Sequence, residues 1–93
     1  MISLTARIQV ADGVLYCDLG GEAVIASRVT GKYYGLDEVG ARAWALLSEH
    51  RWVEPVYQAL LAEYDVDEAQ LRQDLSKLIE ALADHGLVRI VEA

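Results

Sequence analysis

The chain has 93 residues, enough for one small core and too few for a catalytic domain joined to a substrate domain. Apolar residues make up 54% and charged residues 25%, the composition of a globular chain and not of a disordered one. Eight basic against fifteen acidic residues leave a net charge of −7, which argues against nucleic acid, since phosphate binding needs clustered Lys and Arg. A single domain over residues 1–93 is therefore expected. No apolar run approaches the ~18 residues of a membrane span, so no membrane association is expected. Met1-Ile2-Ser3-Leu4 lacks a basic region and a long apolar run, so no secretory signal is read there. The one cysteine, Cys17, cannot close an internal disulfide, which fits a cytoplasmic setting. Residues 1–36 sum to zero charge, and the whole excess of seven negative charges falls in residues 37–93.

The first third of the chain predicts β-structure. Ala6, Ile8 and Val10 alternate with polar residues, the period-two pattern of a half-buried strand. Asp12-Gly13 follows, a hairpin signal. Val14–Leu19 is a second strand, with Leu15, Cys17 and Leu19 on one apolar face. Gly20-Gly21 turns the chain into a third strand at Glu22–Arg28, and Thr30-Gly31 turns it again into a short fourth piece, Lys32–Leu36. Tandem hairpins imply an antiparallel meander. At Asp37 the period becomes helical. Asp37 is an N-cap, Val39, Ala43, Leu46 and Leu47 form an apolar stripe, and the helix ends near His50-Arg51. Pro55 sits in the first turn of a second helix, with Val56, Leu60 and Tyr64 as its buried face. Asp67 caps a third helix, with Gln70 completing a capping-box pattern. Leu71, Leu75, Leu78 and Leu82 form its main seam, and Gly86 is its C′ residue. Leu87, Val88, Ile90 and Val91 form a terminal strand or arm. The fold class is α+β: a small antiparallel sheet of three to four strands followed by three helices, winged-helix-like.

No catalytic constellation is evident. Cys17, on an apolar strand face, reads as a small buried hydrophobe. Asp65, Asp67 and Glu68 resemble the start of a calcium loop, but the glycine and distal glutamate of an EF-hand are missing. Cys17, His50 and His85 lack metal-ligand spacing. Gly20-Gly21 lacks the pattern of a phosphate loop. No cofactor is expected. Tyr33 and Tyr34 are adjacent in a strand, so they point to opposite faces. On the third helix Ile79 widens the seam, sharing a flank with Arg72 and Ser76, and this reads as a groove wall. A sheet edge beside such a helix flank would make a cleft for an extended peptide, bound by strand addition.

The run Thr30-Gly31-Lys32-Tyr33-Tyr34-Gly35-Leu36-Asp37, then Gly40-Ala41 and Trp44-Ala45-Leu46-Leu47, and later Asp74-Leu75, Leu78-Ile79, Leu82 and Gly86-Leu87-Val88, resembles the PqqD-like family. These are peptide-recognition elements of pathways that modify ribosomally made peptides. The resemblance spans roughly residues 14–91, and a free-standing domain of this length is most similar to those of lasso-peptide maturation. It departs from the family pattern at Asp37, often Asn, and at Trp52-Val53, often Thr-Val. The resemblance implies a non-catalytic role. The leader of a precursor peptide would add as a strand beside Lys32–Leu36 and lie against the third helix. Lys32, Tyr33, Tyr34, Gly35 and Leu36 would supply backbone pairing and side-chain contact. Arg72, Leu75, Ser76 and Ile79 would line the helix side, with Asp74 as a polar contact or helix cap. The implied partners are the leader, a cysteine-protease-like leader peptidase and a cyclase. Alternatives are the same role for a radical SAM or other maturation enzyme, and a winged-helix DNA binder. The third helix carries Arg72 and Lys77 against five carboxylates, which speaks against DNA.

Overall fold

The computed structural model describes residues 2–91, so the ends of the expected 1–93 domain (Met1, Glu92 and Ala93) lie outside the described residues. Strands β1 (Arg7–Val10), β2 (Val14–Asp18), β3 (Ala23–Ser27) and β4 (Tyr33–Leu36) come first. Helices α1 (Glu38–His50), α2 (Val53–Glu63) and α3 (Glu68–Asp84) follow, and strand β5 (Val88–Val91) ends the chain. The expected α+β order therefore holds, but the strands form two antiparallel sheets: β2-β3-β4 and β1-β5.

The meander expectation is corrected at its first strand. Arg7–Val10 pairs with Val88–Val91, Ile8 opposite Ile90, and not with β2. Its other edge is occupied too. Ile8 N–H donates to the Arg51 carbonyl at 2.6 Å and Val53 N–H to the Ala6 carbonyl at 3.1 Å, so β1 lies between the α1–α2 connection and β5. Asp12-Gly13 thus carries the chain from one sheet to the other, with Gly13 at φ +75°. The alternation of Ala6, Ile8 and Val10 states that a strand is half buried and does not state which strand covers its edge.

Local signals fix the helices. The Asp37 carboxylate accepts the Gly40 N–H at 2.7 Å and opens α1. The Asp67 carboxylate accepts the Gln70 N–H at 2.9 Å and opens α3. The Gln70 side chain turns to Asp74 instead, at 2.9 Å, so the capping box is only half formed. At the far end Leu87 N–H bonds Leu82 O and Gly86 N–H bonds Ala83 O, with Gly86 at φ +72°, which is a Schellman motif. This sharp stop aims Leu87 and Val88 into the core and starts β5.

One core joins these pieces. Ile25 of β3, Leu47 of α1, Val56 and Leu60 of α2, Ile79 and Leu82 of α3, and Ile8 of β1 are all fully buried. Burying such side chains contributes about 1.5–3 kcal/mol each before chain entropy is set against it. Ala23, Ile25 and Ser27 give β3 its core side.

A cleft between an unpaired strand edge and the third helix

β4 is bonded to β3 on one side and to no strand on the other, among the described residues. Its register sets Ile25 opposite Tyr34 and Ala23 opposite Leu36. Ser27 N–H donates to the Lys32 carbonyl at 2.8 Å, marking that pair as hydrogen-bonded. Antiparallel ladders alternate, so Tyr34 and Leu36 also point their backbone groups at β3. The N–H and C=O groups of Tyr33 and Gly35 therefore point outward along the edge, four backbone groups set for an extended chain.

α3 runs beside that edge in the opposite direction. Its end meets the start of β4, where the His85 ring lies edge-on to Tyr34 with centroids 5.1 Å apart. A hydrogen bond between His85 Nδ1 and the Ala81 carbonyl, 2.8 Å long, fixes the ring. A depression here is lined by Gly31, Lys32, Tyr33, Asp84 and His85. At the other end, where β4 passes into α1, lies an apolar cleft of about 390 Å³. Val39 and Ala43 of α1 form one wall, Leu71, Leu75 and Leu78 of α3 the other, and Val66 lies near its mouth, with Asp37 and Asp74 also on the lining. The site offers backbone groups in the middle, an aliphatic pocket at one end with carboxylates nearby, and a mixed polar pocket at the other.

The sequence-derived site residues divide. Lys32, Tyr33, Gly35, Asp74 and Leu75 lie along the edge or the cleft. Tyr34 is half buried and packs against the core, and Leu36 is buried, so their side chains belong largely to the fold. The flank of Arg72, Ser76 and Ile79 is placed elsewhere. Ile79 is 0% exposed and sits in the core. The Ser76 hydroxyl is buried and accepts the Ile2 N–H at 3.2 Å. Arg72 Nε is buried without a hydrogen-bond partner among the described residues. The N-terminal segment thus packs on this side of α3, and the buried arc of the helix extends toward it. Leu78, read from the sequence as part of the core seam, packs partly buried against the core and also lines the cleft. Val39, expected in the apolar stripe of α1, is exposed and lines the cleft, and Val66 and His85 also enter the site without a motif that singles them out.

Cys17 is exposed on β2, which corrects the reading of it as a buried hydrophobe. Leu15 and Leu19, on the same strand face, are 53% and 58% exposed. Among the described residues no three His, Cys, Asp or Glu side chains cluster as a metal site would require. No helix among them is long and apolar enough to cross a membrane.

A family model described as coenzyme PQQ synthesis protein D (PqqD) matches residues 22–88. Two solved structures share the fold. One is TbiB1 in complex with the TbiA(beta) leader peptide, 37% identical, with a TM-score of 0.81, covering 87% of this chain and 94% of that one. The other is lasso peptide synthetase B1 complexed with the leader peptide, 19% identical, with a TM-score of 0.78, covering 89% of this chain and 98% of that one. No curated protein matches the sequence.

Proposed function

The chain belongs to the PqqD family, and from that premise we propose that it binds the leader segment of a ribosomally made precursor peptide, without catalysing a reaction on it. The unpaired β4 edge, facing α3 across an apolar cleft, is the observation that carries this reading. An extended leader adds as a strand, taking its main-chain bonds from Tyr33 and Gly35. One of its apolar side chains enters the pocket between Val39, Leu75 and Leu78. Asp74 and Asp37, beside that pocket, favour a basic leader residue next to the apolar one. The likeness to two structures that hold leader peptides supports the same occupant, and it supports lasso-peptide maturation as the setting.

Affinity divides between the two elements. Strand pairing is tolerant of sequence, and the pocket supplies selection. The small domain then acts as a carrier, presenting the bound precursor to a cysteine-protease-like leader peptidase and to a cyclase in the cytoplasm. Ser76 and Ile79 take part by holding α3 in place from behind. Calorimetric titration with the leader segment of a candidate precursor peptide tests the proposal. Saturable binding that a scrambled leader lacks is expected; equal affinity for both peptides would remove the recognition role.

A further inference from the structure

The outer face of the β2-β3-β4 sheet is apolar where solvent-facing strand positions are ordinarily polar. Side chains directly opposite one another share a face. Ala23, Ile25 and Ser27 are buried, so the other face carries Val24 and Ala26 of β3, Leu15 and Cys17 of β2, and Tyr33 and Gly35 of β4. Leu15 is 53% and Tyr33 71% exposed, so no described element of the chain covers this face. It holds no charge except at its two ends. The ladder runs on to Leu19 N–H→Glu22 O at 2.8 Å and Arg28 N–H→Gly13 O at 2.9 Å, which places Glu22 at one end of β3 and Arg28 at the other. Both are exposed and both alternate onto the outer side.

We infer that this face is a self-complementary interface for a second copy of the chain. Tyr16, Ile25 and Tyr34 lie in one row across the three strands. A two-fold axis laid along that row, midway between two facing sheets, reverses each strand about its centre residue. Glu22 then stands over Arg28 of the second copy, and Arg28 over its Glu22. The same operation sets Leu15 over Cys17, Val24 over Ala26 and Tyr33 over Gly35. Each apolar pairing puts a larger side chain against a smaller one, as two faces need in order to interdigitate at about 10 Å separation. The alternative axis, along β3, would oppose Glu22 to Glu22 and Arg28 to Arg28, so the charges select the first. An isologous contact of this kind uses each residue twice. Each copy carries −7 overall, which opposes association, but residues 1–36, which hold this sheet, sum to zero. Strands of four or five residues spaced by ~4.8 Å give a face of at most about 17 by 14 Å, small against a standard interface, so the dimer is weak and concentration-dependent. The β4 edge remains open in it, so dimerisation and leader binding fail or succeed separately.

Sedimentation velocity from ~10 μM to ~1 mM tests the inference, a range set by the weak class of interface. A monomer–dimer equilibrium is expected. Leu15→Lys, at an exposed position, should leave the chain monomeric, with Leu19→Lys as a second variant should the first fail to fold. Glu22→Arg should weaken association at least about fivefold, because it sets like charges together. Adding Arg28→Glu to it should restore the wild-type constant. A chain that stays monomeric at the highest concentration leaves the face to another protein and overturns the proposal. So does a dimer that survives both lysine variants, or a charge swap without rescue.

Discussion

Leu78 and Ile79 are adjacent in sequence and opposite in consequence. Ile79 has no exposed surface, so Ile79→Ala leaves a cavity in the core. A loss of about 2–5 kcal/mol is expected from urea unfolding. Leu78 is partly buried against the core and also lines the cleft, so Leu78→Asp should itself cost about 1–3 kcal/mol of stability. The same variant should weaken leader binding at least about tenfold, because it puts a carboxylate in an aliphatic pocket. Helical periodicity cannot separate the two residues, since both lie within a turn of Leu75 and Leu82. Ser76, a polar residue, also faces inward, where it accepts the Ile2 N–H. That long-range contact extends the buried arc to the Ser76 side, and no local pattern announces it. Asp37, in contrast, was legible as a cap, and Asp37→Ala should cost about 1 kcal/mol in the same assay.

At the scale of elements, the β4 edge offers a sharper test than any side chain. The Gly35 N–H points away from β3, so Gly35→Pro removes a donor that the sheet does not use. The preceding Tyr34 is already in a strand, as a residue before proline prefers. Thermal unfolding should move little, while leader affinity should fall several-fold. Tyr34→Pro, which breaks a bond within the sheet, should lower the melting temperature. A second element-scale prediction concerns the helices. Arg42 of α1 holds Glu63 of α2 through two bonds of 2.7 and 2.9 Å. That hydrogen bonding keeps the Glu63 carboxyl below its ordinary pKa and raises the Arg42 guanidinium. A carboxyl lowered in the folded state contributes stability above its unfolded pKa and loses it as pH falls through the folded one. Glu63→Gln should therefore lower the melting temperature slightly at neutral pH and make no difference in strong acid. Both side chains are exposed, so the effect is small. The elements were readable where their signals are local. Caps at Asp37 and Asp67, the stop at Gly86 and the turns at Gly20-Gly21 and Gly31 all stand where the sequence puts them. Strand pairing is not local. The partner of β1 lies some eighty residues away in β5, and Asp12-Gly13 reads the same whether it closes a hairpin or links two sheets.

For the whole molecule, the two faces of one small sheet have separate roles. The core side anchors the helices, the β4 edge meets α3, and the outer side is left apolar. The excess negative charge falls after residue 36, and Asp37 and Asp74 line the cleft. A leader carrying Lys or Arg should bind more weakly as salt rises, and a flat response would remove the charge from recognition. The central claim is that a leader peptide pairs with β4 beside the pocket at Leu78. Calorimetric titration of the wild-type chain, Gly35→Pro and Leu78→Asp with one leader tests it most directly. Saturable wild-type binding, weakened in both folded variants and absent with a scrambled leader, is the predicted result. Wild-type binding that neither variant weakens would place the peptide elsewhere on the molecule, and no binding to the cognate leader would contradict the account altogether.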